Sequence, residues 1–199
     1  MGEAQRRKAE ISAIKRKYAD WFETLTQTER EVATVAKHTH ERIVEGKKLF
    51  GGCYLLTFFM HQYLKHEKGI ETNAVVGWVN DGTTPLMISH AWLELEGKKI
   101  DITLTHTERP DVQLLGELII LDQVIFSGKV KYTYHRQRTA EAVNEQLKFR
   151  HKMPWAVDAK EVEHLQMEAI GKSEKMMQVY LSGAPLDRNY DALARLLAD

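Results

Sequence analysis

A single cysteine, Cys53, stands among 199 residues. That scarcity excludes an internal disulfide and a cysteine-rich zinc site. Net charge is missing too: 28 Lys and Arg balance 28 Asp and Glu, so no global field draws the chain onto nucleic acid or a membrane surface. No apolar run approaches the roughly 20 residues that a membrane-spanning helix needs. The opening Met1-Gly2-Glu3-Ala4-Gln5-Arg6-Arg7-Lys8 lacks the apolar core of a secretion signal, and Arg6 stands where a myristoylation motif has Ser or Thr. These absences lead to the expectation of a cytoplasmic protein with neither a nucleic-acid nor a membrane partner. Histidine is plentiful, but His38 and His40 fall on different faces of a helix. His61 and His66 are five apart, and His135 and His151 lie in separate segments, so no pair has metal-ligand spacing. No metal and no organic cofactor are expected.

What is present is helical periodicity at both ends and alternation in the middle. Ile11, Ile14, Tyr18 and Trp21-Phe22 make one stripe of a helix over 3–23, whose basic complement reads as a solvated face. Thr26 or Thr28 caps a second helix reaching about Val44, ended by Gly46. After Gly51-Gly52, Cys53 opens a third helix, in which Leu55, Phe59 and Tyr63 recur at i, i+4 with Leu56, Met60 and Leu64 beside them. Gly69 ends it.

Asn73–Val79 is β-like, and Asn80-Asp81-Gly82-Thr83-Thr84-Pro85 carries hairpin-loop punctuation. Leu86–Glu96 is the next expected strand, with Ile88, His90, Trp92, Glu94 and Glu96 on one face. Glu96-Gly97-Lys98-Lys99 turns the chain into a return strand, Ile100–Thr105. Leu114–Leu121 and Val124–Phe126 suit a further strand or short helix, and Gly128–His135 alternates as a strand with one wet face. Helices resume at Thr139, break at Pro154, run from Val157 to Leu181 as one or two pieces, and end with a short helix from Leu186. The fold class is α+β. A central helix packs on a small antiparallel sheet within one domain, 1–199: N-terminal helices over 1–45, a catalytic core over 46–136 and C-terminal helices over 137–199.

Cys53, His90 and Asp101 carry the chemistry. A free thiol titrates near 8.5 and is mostly idle at neutral pH. A helix N-terminus favours an anion on its first residue, and an imidazolium nearby favours the thiolate and can return a proton to a leaving group. His90 is the candidate for that imidazole. Asp101 lies about as far past the Gly97 turn as His90 lies before it, so the two face each other across the hairpin. Each residue alone has a plainer reading: an inert buried thiol, a structural histidine, a turn aspartate. Yet Asp101 sits inside Lys99-Ile100-Asp101-Ile102-Thr103, where strand propensity disfavours an aspartate. Three such signals in one supersecondary unit favour catalysis.

At these residues the sequence also resembles a known family. Gly51-Gly52-Cys53-Tyr54 at a helix start, followed by Ser89-His90-Ala91-Trp92-Leu93-Glu94-Leu95-Glu96-Gly97-Lys98-Lys99-Ile100-Asp101-Ile102, is similar to the core of the transglutaminase-like superfamily, within the papain-like cysteine peptidase fold. Cys53, His90 with Ala91-Trp92, and Asp101 match the family's positions in order, over roughly residues 45–105. The resemblance implies thiol acyl-transfer chemistry: Cys53 as nucleophile, His90 as general acid and base, Asp101 as orienting carboxylate, and Trp92 as a substrate contact. The substrate would be a peptide, a protein or a small amide. An exposed groove beside Cys53 would favour a peptide, and a closed pocket a small amide. The Cys53 N–H can serve as one oxyanion donor; Trp21 and Gln27 are candidates for a second, His38 and His40 weaker ones. The alternative is a catalytically inactive member of the same fold that serves as a protein-binding module.

Overall fold

The computed structural model describes residues 5, 16–109 and 113–198. Of the helix expected over 3–23, residue 5 and 16–23 (α1) are helical, and residues 3–4 and 6–15 lie outside the described residues. Thr26 caps α2 (Gln27–His38) with a capping box. Its hydroxyl accepts the Glu29 N–H, and the Glu29 carboxylate accepts the Thr26 N–H at 2.8 Å. The chain continues as a π-helical stretch, Thr39–Glu45, as far as Gly46, with Thr39, His40, Ile43 and Val44 all buried.

The third helix, α3 (Cys53–Lys68), is the axis of the molecule. Every residue from Leu55 to Leu64 is buried, as befits a helix that is largely apolar on all sides. Phe58 and Phe59 expose no surface, and burying each contributes about 1.5–3 kcal/mol. Gly69, at φ +65°, closes the helix in the left-handed conformation that glycine adopts without strain.

α3 packs against a curled antiparallel sheet. β1 (Asn73–Asn80) pairs with β2 (Ile88–Leu95), and β2 pairs with β3 (Lys98–Ile100). The turn between β2 and β3 uses positive φ at both Glu96 and Gly97, the conformation that matches strand twist in a two-residue hairpin. β4 (Leu118–Ile120) and β5 (Gln123–Phe126) form a second hairpin, and β6 (Thr133–His135) returns beside β1. The large sheet therefore runs β3-β2-β1-β6.

Two expected strands are shorter than their alternation suggests. The return strand stops at Ile100: Asp101 makes a single bridge to Ile119, and its side chain then turns the chain by accepting from the Thr103 N–H and hydroxyl. Of Gly128–His135, only the last three residues pair. Lys129 and Val130 instead donate their N–H groups to the Leu115 carbonyl.

Thr139 caps α4 (Ala140–Lys152), and Pro154 is the first residue of α5 (Pro154–Gly171), where its missing N–H costs nothing. Ser173 caps α6 (Glu174–Ser182), so the Val157–Leu181 segment is two helices. The final helix, α7 (Tyr190–Ala198), begins later than expected, because Asn189 caps it through the Ala192 N–H. α5 packs on β1, while α6 and α7 pack on α3. The result is a mixed α+β fold in which helices enclose a small antiparallel sheet. No helix among the described residues is long and apolar enough to cross a membrane.

Candidate active site

Cys53 is the first residue of α3 and is half-buried. Gly52 precedes it as N-cap, and no side chain caps this helix end. The first N–H groups of a helix have no intrahelical partners, so an uncapped start presents donors and a positive dipole end beside the thiol. A Cβ at Gly52 would stand 2.2 Å from Leu49 Cδ2, the far end of a side chain that can turn aside.

His90 lies in the middle of β2 and is 4% exposed; Asp101, just past β3, is 2% exposed. The β2–β3 pairs Leu93↔Ile100 and Leu95↔Lys98 carry on to set Asp101 opposite Trp92, two residues from His90 along the same face. Diagonal neighbours on one face are within reach of a long side chain. His90 Nε2 and Asp101 Oδ2 are 2.6 Å apart. The equal spacing about the turn that the sequence suggested is thus off by one diagonal, and the imidazole spans the difference.

With Nε2 committed to Asp101, Nδ1 is the nitrogen left for the thiol. Burial acts to lower the His90 pKa. The Asp101 carboxylate and the charge and hydrogen bond of Cys53 outweigh it, so the imidazole is held protonated above its ordinary range. Burial pushes Asp101 upward, but His90, the Thr103 N–H and the Tyr134 hydroxyl bring it below the usual carboxylate value. Burial first, and the Cys53 charge after it, raise the phenols of Tyr54 and Tyr180.

Two residues that sequence reasoning missed complete the carboxylate's shell. Tyr134 on β6 donates to Asp101 Oδ2 at 2.9 Å, and Thr103 donates to Oδ1 from both N–H and Oγ1 at 3.0 Å. Every Asp101 oxygen is therefore occupied by donors that favour its ionised form. The Asp101-Ile102-Thr103 spacing is a turn signature that could have revealed Thr103. Tyr134 gives no local signal, because its partner is 33 residues away.

The remaining candidates fall elsewhere. Trp92 is 3% exposed: its ring lies against Gly77 and Tyr134, and its N–H is spent on Glu94. It braces the sheet and does not line the hollow beside Cys53. The Trp21 ring lies tilted against Tyr18, and the Gln27 amide donates to Glu31 on α2, so the positions proposed for a second oxyanion donor find their partners at the N-terminal helices. His38 lines a hollow with Phe22 and Arg30. His40 is buried and bonds to Thr105, and its pKa is lowered chiefly by burial. Among the described residues no group of three His, Cys, Asp or Glu side chains could hold a metal ion.

A second polar chain lies beside the site. Tyr54 and Ser89 hydroxyls are 2.6 Å apart, Ser89 meets His164 Nδ1, and the His164 ring lies tilted against Trp78 with centroids 4.1 Å apart. It ties α5 to β2 one residue before His90.

No family model, curated protein or solved structure matches this chain.

Proposed function

We propose that the chain is a thiol hydrolase or acyl transferase acting on an amide or ester bond, built on a transglutaminase-like variant of the papain-like fold. The observation that carries this reading is the buried His90–Asp101 pair at 2.6 Å, with Cys53 at an uncapped helix start contributing to the imidazole's charge.

The chemistry follows from those positions. His90, already an imidazolium, holds the proton released by Cys53, and the sulfur attacks the substrate carbonyl carbon as a thiolate. The carbonyl oxygen becomes an oxyanion that the Cys53 N–H can hold. The intermediate collapses with cleavage of the carbon–nitrogen or carbon–oxygen bond, and His90 gives its proton to the departing amine or alcohol. An acyl thioester remains on Cys53. Water, or an amine in the transfer reaction, then attacks it while His90 accepts the nucleophile's proton and returns it to the sulfur. Asp101 keeps the imidazole oriented throughout without itself being protonated. Hydrolysis is favoured over transfer because it needs no second binding site. The chain's own residues supply every proton transfer in this sequence.

A non-catalytic binding role is favoured by one observation: Trp155, Leu165 and Val162 on α5 are exposed apolar side chains. It requires Cys53→Ser to leave function intact.

The test is to trap the thioester. Incubation with a panel of activated acyl esters and amides, acid quench and mass spectrometry should place an acyl group on Cys53, absent in His90→Ala. Failure of every acyl donor to modify Cys53 would overturn the proposal.

A further inference from the structure

A groove of about 530 Å³ opens immediately beside the nucleophile. One side is the Leu49–Gly52 approach to Cys53, and the other is the end of α6 with the loop that follows it. Gly51 and Gly52, the two residues before Cys53, and Leu55, two residues after it, line this groove, which sets it along the start of α3. The volume suits a ligand of several linked groups. Its rim residues Gly51, Glu108, Pro185 and Arg188 are exposed, so it is an open channel that admits an extended chain.

Its walls are mostly apolar, from Phe50, Leu55, Val179 and Tyr180, and its two charges are Glu108 and Arg188. Glu108 is the one that lies against Gly51. A Cβ built on Gly51 would stand 3.3 Å from Glu108 Oε2, so this carboxylate covers the backbone two residues before the nucleophile. Gly51 holds φ +69° there. No hydrogen bond or ion pair engages Glu108 among the described residues, whereas Arg188 has Asp187 beside it at 3.5 Å.

We infer that this groove binds a polypeptide substrate carrying a basic side chain beside the scissile amide, with Glu108 as the group that selects it. The inference rests on the thiol acyl-transfer reading and names its substrate class. A lysine or arginine would lay its aliphatic stem along the apolar wall and its charge on Glu108. An acidic side chain would meet like charge at the same place.

The experiment uses three peptidyl coumarin amides that differ only in the residue beside the scissile bond: Arg, Ala or Glu. For the wild type, kcat/KM should favour Arg over Glu by about three- to tenfold, the scale of a partly solvated ion pair. Glu108→Gln should flatten that ranking and Glu108→Lys should invert it. An unchanged ranking in both variants would overturn the assignment of Glu108 while leaving the thiol chemistry standing. Should wild type turn over none of the three, acyl trapping on Cys53 decides the thiol chemistry, and binding decides the groove separately. Fluorescence anisotropy of the labelled peptides with Cys53→Ser should show tighter binding of the Arg peptide, lost when Glu108→Lys is added. Equal binding of all three peptides would overturn the groove assignment.

Discussion

Tyr134 and His90 share one oxygen. Both bond to Asp101 Oδ2, the phenol at 2.9 Å and the imidazole at 2.6 Å, and the Lys99 ammonium lies 3.9 Å over the Tyr134 ring. The carboxylate that orients the imidazole is therefore itself held from β6, a strand on the opposite edge of the sheet from β3.

Tyr134→Phe keeps the ring and removes this donor. A hydrogen bond to a charged group contributes about 1.5–3 kcal/mol, and part of it returns as a stronger Asp101–His90 contact. The expected result is a loss of about three- to tenfold in kcat with KM nearly unchanged, since Tyr134 does not line the groove. Steady-state kinetics on a turned-over amide or ester would check it. A change confined to KM would contradict a positioning role.

The buried pair also sets a pH window for stability. Asp101 is depressed below its ordinary 3.8, so its contribution is complete above that value and lost as pH falls through its lower folded value. His90 is raised above its ordinary 6.5, so its contribution is complete below 6.5 and lost as pH rises through its higher folded value. Asp101→Asn should therefore cost most stability between about pH 4 and 6.5. Urea denaturation of both proteins across pH 2–10 would measure the difference, and a gap that is flat with pH would refute the ion pair.

Glu29 links α2 to β3. It caps the helix through Thr26 and accepts from Lys98, and these bonds, the Lys98 bond first, bring its pKa down to about 2. Glu29→Gln should destabilise the fold at neutral pH by about 0.5–2 kcal/mol, the scale of a lost cap. The penalty should shrink as pH falls from about 4.5 towards 2, where wild type protonates as well. Thermal melts of the pair at pH 7 and pH 2.5 would show whether it does.

Gly77 is in β1 opposite His90, and a Cβ there would stand 2.5 Å from the His135 carbonyl oxygen and 2.7 Å from the Trp92 ring. Gly77→Ala should cost about 1–3 kcal/mol by overpacking and push Trp92 off its seat, lowering the denaturation midpoint and shifting tryptophan fluorescence. An unaltered midpoint would mean that Trp92 is loosely held.

Much of this was legible in the chain because the signals were local. Gly52-Cys53 followed by the Leu55, Phe59, Tyr63 spacing marks a helix start, and Thr26 with Glu29 marks another. The hairpin at Glu96-Gly97 set β2 against β3, and with it His90 near Asp101. What escaped depends on partners distant in sequence. Tyr134 reaches Asp101 only because β6 flanks β1. Trp92 alternates on the His90 face as expected, yet β6 and Tyr134 cover it, so exposure could not be read from its periodicity. Ile100–Thr105 looked extended because alternation counts apolar residues and ignores the Asp101–Thr103 turn that ends the strand.

The most direct test is the alkylation rate of Cys53 by iodoacetamide at neutral pH, in wild type and in His90→Ala. Cys53 is the sole thiol, so the signal has one source. An imidazolium beside the sulfur favours the reactive thiolate, so His90→Ala should slow alkylation by about tenfold or more. Equal rates in the two proteins would contradict an activated Cys53–His90 pair and, with it, the proposed chemistry.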